Sequence, residues 1–167
     1  MPKLIKDDAL AEDNWQIVDQ EQLQSGIELV ESKQWLVPLS HWDEISDTLA
    51  SGQNTIGVWV NGDEPAESFY GKTEKMPLIA IKFPVFTDGR GFSLARQLRD
   101  QLDFTGEIRA MGYFLQDQLY YLRRCGFNAF LVKDDADVAS VLESLHDFSN
   151  SYQAAVDEPR PLFRRRA

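Results

Sequence analysis

From Trp35 onward, the hydrophobic positions of this chain alternate between two patterns. Short and nearly continuous apolar runs predict buried strands, and apolar residues that recur every three or four positions predict helices with one buried face. The predicted strands are residues 35–39, 56–60, 78–84, 108–114 and 129–132. The helical spacing is carried by Trp42, Ile45 and Leu49, by Leu94, Leu98 and Leu102, by Leu115, Leu119 and Leu122, and by Val138, Val141, Leu142 and Leu145.

Capping residues support these boundaries. Ser40 and Asp43 have the spacing of a capping box, and Gly52 and Gly126 stand where helices commonly end. Asp134 or Asp135 is predicted to cap the last helix.

Strands that alternate with single helices are joined by right-handed parallel crossovers, because a tight hairpin cannot connect parallel strands. We therefore predict an α/β fold with a mainly parallel sheet of about five strands and alternating helices. An open sheet and part of a β/α barrel both satisfy this pattern. Five strands are too few to close an eight-stranded barrel.

The chain divides into three predicted parts. Residues 1–34 form a polar N-terminal segment with weak strand patterns at 15–18 and 27–30, and residues 35–150 form the α/β core domain. Residues 151–167 form a basic C-terminal tail. Within the core, residues 61–77 are rich in turn-forming and charged residues, which predicts a surface loop that is either mobile or functional.

Composition narrows the class of protein. A net charge of −10 over 167 residues argues against nucleic-acid binding. The sequence has neither an apolar run long enough to span a membrane nor a signal-peptide core, so we expect a cytoplasmic protein. Cys125 is the only cysteine, which excludes an internal disulfide and suits a reducing compartment.

The charge is unevenly distributed, because the last eight residues, RPLFRRRA, contain four basic residues and no acidic one. An acidic body with a basic tail suits a protein partner of mixed charge, and a solvated, frayed tail is the simpler interpretation. The tail residues predicted to contact a partner are Arg160, Phe163, Arg164, Arg165 and Arg166.

The segment FTDGRG, residues 86–91, is the sharpest local motif. Gly89 and Gly91 directly before a helix would let backbone amides approach an anion, and the Arg90 guanidinium would add a bidentate contact. The simpler alternative is a tight turn in which Asp88 caps the helix. The nucleotide-binding patterns GxxxxGK[ST] and GxGxxG are both absent.

Three further polar residues are candidates for the same site. Asp117 and Gln118 stand at a predicted helix start, where they either cap the helix or complete the face around Arg90. Arg109 lies inside a predicted strand, so it faces solvent or needs an acidic partner, for which Asp88 and Asp117 are the candidates.

Other reactive side chains give weaker signals. His41 and His146 have no metal-site or catalytic-triad spacing, and Cys125 is predicted to be a packed thiol. We predict no metal and no cofactor, because no flavin, nicotinamide, haem or metal motif is present.

The segments FTDGRGFSLARQLR and GEIRAMGYFLQDQLYYLRRCGFNAF, with WLVPLSHW upstream, resemble the bacterial domain-of-unknown-function 934 family, often labelled as an oxidoreductase probably involved in sulfite reduction. The resemblance covers residues 35–148, and Asn128 departs from it where Asp is expected. It implies an association with the sulfite reductase haemoprotein of assimilatory sulfur metabolism.

Three functional hypotheses follow. The first is a non-catalytic accessory protein that binds or supports sulfite reductase. The second is a small α/β enzyme or oxyanion-binding protein that uses the FTDGRG loop, with Asp88 and Asp117 as acid–base candidates. The third is a structural homo-oligomer whose loop side is packed against another copy.

Overall fold

The structure is a computed structural model that describes residues 1–25, 33–49 and 55–165. In this part of the chain, eight strands form one sheet. The strands are β1 (Lys3–Lys6), β2 (Ala9–Ala11), β3 (Trp15–Ile17), β4 (Gln34–Pro38), β5 (Thr55–Asn61), β6 (Leu78–Phe83), β7 (Glu107–Gly112) and β8 (Ala129–Val132). The α-helices are α1 (Gln20–Gln24), α2 (Trp42–Leu49), α3 (Arg90–Asp100), α4 (Leu119–Arg124), α5 (Val138–Ser144) and α6 (Leu162–Arg165).

The sheet has the strand order β2-β1-β8-β7-β6-β5-β4-β3. Strands β3 to β8 are parallel and lie in sequence order, whereas β1 runs antiparallel to β8 and β2 antiparallel to β1. The predicted α/β class with a mainly parallel sheet is confirmed, and the sheet is open and curled like half a barrel. It has more strands than the predicted five because residues 3–17 add three.

The weak pattern at residues 15–18 does form a strand, β3. The other weak pattern, at residues 27–30, and the predicted helix end at Gly52 lie outside the described residues. Strands β1 and β2 were missed because the segment is short and polar, and because its turn places Asp7 and Asp8 at positive φ, which is uncommon for residues other than glycine.

The two faces of the sheet bury different side chains. On one face, which we call the helix face, apolar strand residues such as Ile79, Ile81 and Phe83 pack with Leu94 and Leu98 of α3 in the main core. Alternation along each strand places the next set on the opposite, inner face. There Leu36, Leu78, Ala80 and Met111 form a second, smaller cluster, with Trp15, Trp59 and Leu131 packed against it.

A short linker, residues 12–14, joins the two edges of the sheet, because β2 is one edge strand and β3 is the other. Extended chain covers at most about 3.6 Å per residue, so Ala11 and Trp15 lie within about 14 Å of each other. The curl of the sheet follows from this restraint: the two edges must approach each other.

Three local predictions concern the helix ends and the long loop. Gly126 follows α4 with a φ of 110°, as expected for a glycine that ends a helix. The cap of α5 is Asp137, which accepts a hydrogen bond from the Ala139 amide, and not Asp134 or Asp135. In the 61–77 segment, two 3-10 turns hold Phe69 and Met76 in the core, so this long connection is tied down at two points.

Candidate functional site

Four loops gather where the parallel strands end, which is where ligands bind in open α/β sheets. They follow β5, β6, β7 and β8 and comprise residues 62–65, 84–89, 113–118 and 133–137. The FTDGRG segment and Asp117 and Gln118 therefore lie at the same end of the sheet.

Asp88 holds Arg90 in a bidentate ion pair. The Arg90 Nε and Nη2 atoms lie 2.9 and 2.7 Å from the two Asp88 carboxylate oxygens, and the Arg90 amide also donates to Asp88. Asp63 adds a second carboxylate 3.4 Å from Arg90 Nη1. Hydrogen bonds from the Arg90 side chain and backbone lower the pKa of Asp88 to about 2, and the same side-chain bond raises the pKa of Arg90.

This geometry limits how an anion could reach the first turn of α3. An oxyanion that took both guanidinium contacts would have to displace Asp88, whose carboxylate already makes them. Gly62 also lies directly against the turn, since a Cβ placed on it would be 2.6 Å from the Gly91 nitrogen. Gly89, by contrast, has open space at its Cβ position. An anion site at Asp88–Gly91 therefore stays a hypothesis that requires a rearranged Arg90.

Gln118 links the FTDGRG segment to the next loop. Its amide nitrogen donates to the Phe86 carbonyl at 3.1 Å, and its amide oxygen accepts from the Leu115 amide at 2.9 Å. Asp117 is exposed in the 3-10 turn Gln116–Gln118 that leads into α4. Of the two residues predicted there, Gln118 thus contacts the loop around Arg90.

Arg109 does not belong to this end of the sheet. It lies in the middle of β7 on the inner face, fully buried, and donates to Glu107 at 2.7 Å and to Asp13 at 2.9 Å. The prediction that Asp88 or Asp117 is its partner is wrong, because both lie in loops beyond the ends of the strands. Lys6 pairs with the second Glu107 oxygen at 2.8 Å, and within the described residues Arg109 Nη2 has no hydrogen-bond partner.

The C-terminal tail lies toward the opposite end of the sheet. Its residue Val156 donates to the Arg124 carbonyl at the end of α4, and Pro159 lies in a shallow pocket with Phe104, which precedes β7. The described tail candidates are held locally: Arg160 pairs with Glu158, Arg164 stacks on the exposed Phe163 ring, and Arg165 donates to the Ser151 carbonyl. Arg166 lies outside the described residues.

Sequence reasoning missed a group of exposed apolar side chains on the two loops that Gln118 links. We call this group the loop face: Val85, Phe86, Tyr113 and Leu115, which are 52, 51, 66 and 45% exposed. The signal was present, because the apolar runs of β6 and β7 continue past the strand ends into PVF and YFL. The prediction includes Tyr113 in a strand and Leu115 in a helical stripe, whereas β7 ends at Gly112, and it treats Phe86 only as part of the FTDGRG turn.

A family model described as "Bacterial protein of unknown function (DUF934)" matches residues 57–163. The chain belongs to this family. The match includes the loop face, Arg90 and Gln118, and it begins within β5, so the edge strands and Asp13 lie outside it. A comparison with curated proteins gives no match.

Cys125 is another potentially reactive side chain of this DUF934 protein. Burial raises the pKa of the Cys125 thiol, which lies beside Tyr121. Within the described ranges, no three His, Cys, Asp or Glu side chains are grouped so that they could hold a metal ion. The described helices include none that is both long and apolar enough to cross a membrane.

Proposed function

We propose that this DUF934 protein is a cytoplasmic accessory protein of assimilatory sulfite reduction, which binds the sulfite reductase haemoprotein through the loop face. The observation that carries the proposal is the pair of loops linked by Gln118, on which four large apolar side chains are exposed. Single exposed apolar residues are ordinary on protein surfaces, but four of them on two linked loops suggest an interaction site.

The surroundings of the candidate reactive groups favour a binding function over a catalytic one. The Arg90 guanidinium is shared between Asp88 and Asp63, and the buried Cys125 thiol has a raised pKa, which disfavours the thiolate. Arg109 forms part of a buried ionic network on the inner face. These groups stabilise loops and packing in the arrangement they have.

Sulfite reductase is proposed as the partner from the resemblance of DGRG, RAMGYFLQDQ and RRCGF to a family associated with sulfite reduction. The proposal needs no redox centre in this chain, because the partner carries one. The tail residues Arg160, Phe163, Arg164, Arg165 and Arg166 would make a second contact, and the described ones lie toward the end of the sheet away from the loop face.

The test is direct binding between the purified DUF934 protein and the purified sulfite reductase haemoprotein of the same organism, measured by biolayer interferometry. Truncating central apolar residues of an interface commonly weakens binding by about tenfold or more. We expect that loss for the double variant Phe86→Ser/Tyr113→Ser. Tyr70→Ser removes an aromatic ring of similar exposure from the 61–77 segment and serves as the matched control.

Two results would count against the proposal. If the wild-type protein does not bind the reductase, the reductase is not its partner. Equal losses in the double variant and in Tyr70→Ser would show that the loop face is not the contact. Deleting residues 160–167 tests the tail separately. Unchanged affinity for the reductase would restrict the interface to residues 1–159.

A further inference from the structure

The loop face continues into a recess between the loops that follow β7 and β8. The recess has a volume of about 350 Å³, and Leu115 lines it as well as belonging to the loop face. Its apolar lining includes the buried residues Leu119 and Val141, and Asp135 and Asp137 are among its polar lining residues.

Acidic residues outnumber basic ones in the loops at this end of the sheet. The loops 62–65, 84–89, 113–118 and 133–137, together with Arg90 at the start of α3, contain seven acidic and two basic residues. One of the two basic residues, Arg90, is already bound to Asp88 and Asp63, and on the acidic side Asp134 pairs with the amino group of Met1. Asp117 and Asp135 are exposed. Lys133 lines the recess and Lys3 donates to the Ala136 carbonyl, so the exposed carboxylates Asp117 and Asp135 are the acidic groups here that suit a basic partner.

The recess suits a protein segment better than a small molecule. Small ligands are typically enclosed over most of their surface, but this recess is flanked by exposed side chains. A ligand confined to it would leave Val85, Phe86 and Tyr113 in water, whereas a protein segment would cover them together with the recess.

We infer that the recess binds an apolar side chain from a basic surface segment of the partner, and that lysine or arginine residues of this segment pair with Asp117 and Asp135. This inference rests on the proposed function, since it describes the chemistry of the same contact. It assigns recognition to complementary charge around an apolar centre, a common arrangement in transient protein interfaces.

The experiment compares two charge-reversed proteins in the binding assay with the purified reductase haemoprotein. We call Asp117 and Asp135 the rim of the recess, and Asp117→Lys/Asp135→Lys reverses their charges. The control Glu74→Lys/Asp147→Lys makes the same change in net charge at exposed sites elsewhere. Ala136→Phe fills the recess without changing the charge. A circular dichroism melt of each variant establishes that it is folded.

We expect the rim reversal to weaken binding about tenfold or more and the control pair to change it less than about threefold, because rim charges act mainly at short range in physiological salt. Wild-type binding should also weaken as salt is raised, and Ala136→Phe should reduce affinity at every salt concentration. These results together support the inference.

The contrary outcomes are separable. If the reductase binds wild type and all three variants equally, the recess inference is overturned and the proposed function stands. If wild type does not bind the reductase, both fail. If sedimentation shows that wild type self-associates and that the rim reversal abolishes this, the occupant is a second copy of the chain, and the inference about the partner is overturned.

Discussion

At the scale of single residues, the most constrained group is Arg109 on the inner face. A buried guanidinium is costly unless carboxylates and hydrogen bonds compensate for its lost hydration. Glu107 and Asp13 supply two carboxylates, and Lys6 balances Glu107. Asp13 lies in the linker between the edge strands, so this ion pair holds the linker over the inner face.

Asp13→Ala should lower the free energy of unfolding by about 2 kcal/mol, since it removes a charged hydrogen-bond acceptor from a buried guanidinium. Glu12→Ala, a change at an exposed acidic residue of the same linker, is the matched control and should change it by less than about 0.5 kcal/mol. Urea unfolding measures both. Similar values for the two variants would show that the Asp13–Arg109 pair does not stabilise the fold.

The Asp88–Arg90 pair makes stability depend on pH in the acid range. The folded protein holds the pKa of Asp88 at about 2, below its ordinary value of 3.8, so the folded state binds this proton more weakly than the unfolded state does. The stabilisation is therefore complete above about pH 4 and is lost as the pH falls toward about 2.

Asp88→Asn and Arg90→Gln should each flatten the pH dependence of stability between about pH 4 and pH 2, relative to wild type. Thermal melts across this range are the measurement, and the double variant should show no further flattening, because both changes remove one ion pair. If the stability of Asp88→Asn depends on pH as steeply as that of wild type, other carboxylates cause the acid dependence. Asp134 and Glu158 are candidates, because their pKa values are also lowered.

At the scale of elements, the important link is the one between the loops that follow β6 and β7. Gln118 is the residue that joins them, with one hydrogen bond to each loop. Gln116, two residues earlier, has a different function: its amide donates to Ser140 and Ser144 on α5. The two glutamines therefore form a natural pair for comparison.

Gln118→Ala should accelerate hydrogen exchange at the Leu115 amide, because that amide loses its acceptor, and throughout residues 84–89. Gln116→Ala should leave exchange at the Leu115 amide unchanged and should accelerate hydrogen exchange in α5 instead. Hydrogen exchange read by mass spectrometry or NMR distinguishes the two patterns. Equal protection of Leu115 in wild type and Gln118→Ala would mean that the loops are held together by other contacts.

The alternating strands and helices from residue 35 onward were predictable because each strand has a continuous apolar run and each helix an apolar stripe. Strands β1 and β2 were not, because strands of three or four residues carry too few side chains to show a period. The partners of Arg109 could not be predicted from the sequence either. Asp13 is 96 residues away in sequence, and only the curl of the sheet brings it there.

The candidate site was predicted in part. The end of the sheet and the proximity of Gln118 to FTDGRG follow from topology, which the pattern of elements indicates. The pairing of Arg90 with Asp88 depends on the conformation of one turn, for which the sequence allowed both an anion site and a cap. The loop face depends on the exact strand ends, which apolar periodicity locates only to within a few residues.

At the scale of the whole molecule, the C-terminal tail has two parts with different surroundings. Residues 151–157 surround the buried Arg124 side chain, which donates to Ser151 and, at 2.5 Å, to the Gln153 carbonyl, and lies 3.4 Å from Asp157. Residues 160–165 instead expose Phe163 and Arg164. The first part completes the packing of α4, and the second presents the basic and aromatic groups proposed to contact a partner.

Truncation at two points separates these roles. A chain ending at residue 150 leaves Arg124 without three partners, so we expect a loss of about 2 kcal/mol in the free energy of unfolding. A chain ending at residue 159 keeps all three partners of Arg124, so its loss in the free energy of unfolding should be less than about half of that amount. Urea unfolding of both truncated chains beside the full chain gives the comparison. Equal losses would place the stabilising contacts in residues 160–167, and the deletion of those residues would then test folding as well as binding.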